Sequence, residues 1–141
     1  MSIIKKFLLL FFFISISFQA YAESVKKIGK FKDWETMVIM SDSEKTCFAQ
    51  SVPILQAPKK NPREARLFVS FRPNEKITDE ISITSGYIFN NKNSITARSG
   101  KKKYKFDIAQ EGFAWIADNK QENKMIKTIN KDSKIMITGY N

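Results

Sequence analysis

Arg66-Leu67-Phe68-Val69-Ser70-Phe71-Arg72 places Leu67, Val69 and Phe71 at alternate positions between two arginines. Successive side chains of a strand point to opposite faces, so this is the pattern of a strand with one face on a core. Pro73-Asn74 closes it, because proline has no N–H to give a ladder. Ile81-Ser82-Ile83-Thr84-Ser85 repeats the alternation more strictly. Gly86 follows, a residue that permits a bulge or a close backbone approach before Tyr87-Ile88-Phe89. Period two over both stretches decides for β structure.

The same period extends in both directions. Trp34–Ser41 and Thr46–Gln50 read as strands joined by the turn cluster Ser41-Asp42-Ser43-Glu44-Lys45. Pro53, Pro58 and Pro62, with Lys59, Lys60, Arg63 and Arg66 among or just after them, predict an exposed loop. Asn90-Asn91-Lys92-Asn93 is a turn. Ser94–Arg98 and Lys102–Ile108 flank Ser99-Gly100-Lys101, a hairpin in which glycine supplies a positive φ. Gly112–Ala117 carries Phe113, Trp115 and Ile116 as a further strand. Asp118 then reads as a helix N-cap, with Gln121 at the capping-box position. Met125, Ile126 and Ile129 give that helix one apolar stripe. Ser133–Tyr140 returns to strand, with Ile135 and Ile137 facing one way. The sum is about seven or eight strands, a mainly β antiparallel β-sandwich or partly open barrel with one short helix near residues 119–130.

Residues 1–22 read as a secretory signal peptide. Lys5 and Lys6 form its positive end, and an apolar run starts at Phe7. Ala20 and Ala22 occupy the two small-residue positions before a cleavage site at Glu23. The run is too short for a membrane-spanning helix. Residues 23–141 then form a single β-rich domain, long enough to hold a core without staples, and periplasmic or secreted. Removing the leader takes away two lysines and no acid, which lowers the net charge from +10 by two.

Composition excludes much chemistry. The chain has no histidine and one cysteine, Cys47. There is no Ser-His-Asp triad, no His-based zinc site and no Cys-x-x-Cys pair, so no cofactor and no metal is expected. Ser99-x-x-Lys102 has the spacing of a Ser–Lys nucleophile pair, but a glycine hairpin is not the helical turn that motif uses. Asp79-Glu80 and Asp107/Glu111 read as solvated surface carboxylates. Trp34 and Trp115, on alternating stretches, read as core more readily than as ligand-site walls. A non-enzymatic domain is expected. Cys47 is a buried apolar residue, an intermolecular partner, or the survivor of a lost pair.

All but four of the 24 basic residues are lysine. Arg98, Lys101, Lys102, Lys103 and Lys105, with Tyr104 and Phe106 between them, form one cluster. It reads either as a patch for an anionic polymer or lipid, or as a solvated basic hairpin tip. Export argues against DNA as the partner.

One further observation concerns the order of features. Asp33-Trp34 is followed by Cys47 in a strand and by Arg72-Pro73 after an apolar strand. Ile81-Ser82, Ser85-Gly86-Tyr87 and Gly100-Lys101 leading to Phe106 come next. Ala114-Trp115, a short helix and Ile137-Thr138-Gly139 complete the series. This order resembles the invasion-associated locus B family of alphaproteobacterial exported proteins. The resemblance implies a small, exported, mostly β protein with no assigned catalytic residues. Together with the β patterning and the missing catalytic constellations, it leads to the expectation of a domain that binds a protein or envelope component. It also implies that family members continue past Thr-Gly with another strand, a helix and a cysteine. By that comparison this chain lacks its final strand and helix, and Cys47 lacks a disulfide partner.

Overall fold

The computed structural model describes residues 24–41 and 44–141. The expected leader and its cleavage site at Ala20, Ala22 and Glu23 lie outside the described residues.

Ten strands, one α-helix and one 3-10 turn (Pro73–Glu75) are present among the described residues: β1 (Ser24–Phe31), β2 (Trp34–Met40), β3 (Lys45–Ser51), β4 (Arg66–Arg72), β5 (Ile77–Thr84), β6 (Ile95–Ser99), β7 (Lys102–Phe106), β8 (Ile108–Gln110), β9 (Phe113–Trp115), α1 (Asn119–Lys131) and β10 (Met136–Thr138). All pairings are antiparallel. One sheet runs β1-β2-β3-β4-β5-β9-β8 and a second runs β10-β6-β7, and the strands do not close into a barrel. The mainly β expectation therefore holds, in its open, two-sheet form.

The core lies where β4, β5 and β9 face β6, β7 and α1. Ile81, Ile83 and Met125 are its largest fully buried side chains, joined by Leu67, Ala97, Tyr104 and Phe106. Burying a side chain of this kind contributes roughly 1.5–3 kcal/mol. Ile126 and Ile129 pack beside Met125, as the apolar stripe requires.

The turns follow residue chemistry. Gly100, at φ +57, takes the first central position of the β6–β7 turn, where type II′ geometry needs glycine. Asn90 Oδ1 accepts from the N–H groups of Lys92 and Asn93 and closes the 90–93 turn. Gly86 has φ +73, and a Cβ there would lie 2.9 Å from the Glu64 nitrogen. The close approach expected at this glycine is real.

Several expectations are corrected. The two strands beyond the predicted set are β1 and β8. Lysines interrupt the apolar alternation of β1, which is an exposed edge; β8 is three exposed residues long. Tyr87–Phe89 is irregular, and the last strand shrinks to Met136–Thr138. Asp118 caps α1, accepting from the Lys120 N–H at 2.7 Å. Gln121 does not complete a capping box; its Oε1 accepts from the Lys105 N–H at 3.3 Å and ties the helix to β7.

Candidate functional site

The basic cluster sits on the β6–β7 hairpin. Arg98 is opposite Lys103 and Thr96 opposite Lys105, so these four share the exposed face. Ala97, Tyr104 and Phe106 point the other way and are buried. The interleaved aromatics are thus core residues and offer no stacking platform to a ligand. Lys102 Nζ lies 3.1 Å from both Asp132 carboxylate oxygens, and Lys105 Nζ is 3.4 Å from Asp107. Among the described residues, Arg98, Lys101 and Lys103 carry no ion pair. Five cations by sequence become three by geometry.

Ser99 and Lys102 do meet, although no helix brings them together. They are direct cross-strand partners beside the turn, and Asp132 bridges them. Ser99 Oγ lies 2.5 Å from Asp132 Oδ2 and 2.9 Å from the Lys134 carbonyl oxygen. One hydroxyl proton serves one of these acceptors at a time. The Ser99 hydrogen bond, followed by that of Lys102, holds the Asp132 carboxyl below its ordinary value. A carboxylate stabilised in this way is a weak base. The trio fastens the hairpin tip to the end of α1, and sequence spacing gave no sign of Asp132 in that role.

Of the β5 carboxylates Asp79 is exposed as expected, but Glu80 is not simply solvated. Glu80 takes both terminal nitrogens of Arg72, at 3.0 and 2.8 Å, while Arg72 Nε reaches Glu75 at 3.1 Å. These contacts, the Glu80 hydrogen bond first, raise the Arg72 pKa further. Asp107 pairs with Lys105, and Glu111 lies at φ +50 in the β8–β9 turn. Among the described residues no group of three or more Cys, Asp or Glu is arranged to hold a metal ion.

A further surface outside the core is the outer face of the seven-stranded sheet. Strand alternation and register set Phe48 on β3, Phe68 on β4, and Phe113 and Trp115 on β9 along one face. Their ring centroids are 6.0 Å apart for Phe48–Phe68, 6.2 Å for Phe68–Phe113 and 5.9 Å for Phe113–Trp115. Met37 on β2 and Ile108 on β8 extend the row. None of these six belongs to the core cluster or packs against it. Trp34 is core-facing as expected, but Trp115 is not. Most ions at the margins of this face are paired, Lys27 with Glu35, Arg66 with Glu64 and Arg72 with Glu80, while Lys30 stands opposite Glu35 without an ion pair of its own among the described residues. The Lys27 and Gln50 hydrogen bonds hold Glu35 below its ordinary value. The face is thus an aromatic row set among Gln50, Ser70, Ser82 and Thr84, with mostly paired charges and Lys30 at its margins.

Cys47 is half-buried on the opposite face of β3, between Val38 and Phe71, with its thiol free. Phe71 opposite it is 44% exposed, because the core does not extend this far along the sheet. No helix among the described residues is long and apolar enough to cross a membrane.

No protein-family model, curated protein or solved structure matches this chain.

Proposed function

We propose that the chain is an exported, non-enzymatic β domain of the cell envelope, resembling invasion-associated locus B proteins, that works by binding a protein component of that envelope. The observation that carries this reading is the aromatic row of the outer sheet face, Phe48-Phe68-Phe113-Trp115. Contiguous apolar surface outside the core marks an interaction site, and aromatic side chains are favoured at protein interfaces. The Lys27–Glu35, Arg66–Glu64 and Arg72–Glu80 pairs offset most of the charge at its margins, which favours a protein over an anionic polymer.

The reading is tested by partner recovery from envelope extract at low and high salt. An apolar interface retains its partner at both, because screening weakens charge contacts and leaves apolar burial in place. Phe68→Asp with Phe113→Asp is expected to abolish recovery while the domain stays folded. Recovery unchanged in that variant refutes the reading.

The second reading, an anionic polymer or lipid held by the β6–β7 hairpin, rests on Arg98, Lys101 and Lys103. Its signature is binding that falls steeply with salt and disappears when these three become alanine.

A further inference from the structure

The four most exposed large hydrophobic side chains of the described chain are Ile54 at 80%, Leu55 at 78%, Ile88 at 77% and Phe31 at 73%. They come from the end of β1 and from two separate loops, yet all lie at one end of the seven-stranded sheet. Register establishes this: Phe31 is opposite Trp34, Trp34 opposite Ser51, Ser51 opposite Leu67, and Arg66 opposite Thr84. The β1–β2 turn, the β3–β4 loop and the β5–β6 loop therefore leave the sheet on the same side.

The loops are braced against one another. Gln56 bonds Arg63 twice, Nε2 to its carbonyl at 2.9 Å and Oε1 from its N–H at 3.2 Å. The Arg63 guanidinium donates to the Ala57 carbonyl at 2.8 Å and lies 5.7 Å from the centre of the Tyr87 ring. Gly86 sits against the Glu64 backbone. Leu55 and Ile88 are thus each one residue from a fixed contact, held outward. Lys30, Asp33, Val52 and Ile54 line one shallow cleft between the first turn and the loop.

Charge surrounds these tips. Lys30 and Lys32 flank Phe31, with Lys32 Nζ 5.6 Å from its ring centre. Lys59 and Lys60 occupy the loop that Gln56 and Arg63 close. Asp33 and Glu111 are the acids on neighbouring turns; Glu35, opposite Lys30, pairs with Lys27, and Glu64 pairs with Arg66. The balance is positive, and lysine stems let the ammonium groups reach past the apolar tips.

We infer that this end of the domain docks on an anionic lipid bilayer, with Phe31, Ile54, Leu55 and Ile88 entering the headgroup boundary and Lys30, Lys32, Lys59 and Lys60 meeting lipid phosphates. Separated, projecting tips suit a fluid surface that closes around each one, whereas a protein partner would need a matched socket for each. Apolar insertion and cationic attraction to anionic lipid are the two terms that hold peripheral proteins at membranes. The surface adjoins the sheet face at Lys30 but rests on different apolar residues, so failure of one assignment leaves the other standing.

The test is co-sedimentation of the chain from Glu23 onward, which carries every described element, with vesicles of phosphatidylcholine plus phosphatidylglycerol and of phosphatidylcholine alone. Binding to the anionic vesicles is expected. Ile54→Ser with Leu55→Ser is expected to weaken it at least about tenfold, from the apolar area no longer buried, with an unchanged melting temperature. Lys30→Ala, Lys32→Ala, Lys59→Ala and Lys60→Ala together are expected to remove the preference for anionic vesicles. Lys101→Ala with Lys103→Ala, on the hairpin, is expected to leave binding intact. Absence of sedimentation, unchanged binding in the Ile54/Leu55 variant, or loss in the hairpin variant overturns the proposal.

Discussion

The Glu122 carboxylate accepts the Ile81 backbone N–H at 2.7 Å. Pairing of β5 with β9 begins only at Ser82, so the Ile81 N–H on that side has no strand partner. The helix supplies one. The same contact places a carboxylate beside Glu80 and Asp79.

Burial raises the Glu122 pKa above its ordinary 4.5; the Ile81 hydrogen bond opposes this, and Glu80 and Asp79 add to the rise. A raised carboxylate takes up its proton first in the folded state. Stability is therefore gained as pH falls through the folded pKa and stops increasing below 4.5, where the unfolded chain is also protonated. Glu122→Gln keeps an acceptor for Ile81 and removes the titration. Its thermal melts are expected to lose the mildly acidic gain shown by the parent chain; identical pH profiles would contradict this account.

Asp132 has the opposite sign. Its pKa is lowered by Ser99 and Lys102 from an ordinary 3.8. Its contribution is present above that value and is lost as pH falls through the folded pKa. Asp132→Asn is expected to reduce stability at neutral pH and to flatten the acid limb. Melts recorded between neutrality and strong acid check both effects.

The Tyr104 hydroxyl and Thr128 Oγ1 are 2.6 Å apart in the core, and Thr128 is only 3% exposed. Tyr104→Phe leaves the threonine hydroxyl without this partner, at a cost of about 1–2 kcal/mol. Met125→Ala, at a site with no exposure, is expected to cost about 2–5 kcal/mol. Urea unfolding ranks the two.

Two glycines separate backbone strain from crowding. Gly100, at φ +57, has nothing within 4 Å of an added Cβ, whereas Gly86, at φ +73, has the Glu64 nitrogen at 2.9 Å. Gly100→Ala is expected to cost about 1–2 kcal/mol for the left-handed conformation alone. Gly86→Ala costs more, because backbone must move. Equal melting temperatures for the two variants would contradict the close approach.

What the sequence revealed follows from which features are local. Alternation in Leu67–Val69 and Ile81–Ile83, the glycine turn at Gly100 and the cap at Asp118 are encoded within a few residues, and each was legible. Strand β1 was not, because an exposed edge accepts Lys26, Lys27 and Lys30 on a pattern that shows no buried face. Gln121 sits at a capping-box position, yet β7 competes for its amide. Lys102 reads as a free cation until Asp132 arrives from the end of α1. The outer aromatic row depends on register between β3, β4 and β9, which no stretch of chain contains by itself. Trp115 reads as core for the same reason: alternation fixes that it faces one side, and the sheet order decides which side is covered.

The central claim is that the outer sheet face binds a protein. A photo-crosslinking amino acid placed in turn at Phe48, Phe68, Phe113 and, as a control, Lys103 addresses it in living cells. The account predicts one common adduct from the three sheet positions, persisting in high salt, and none from Lys103. An adduct from Lys103 with none from the sheet face would contradict it.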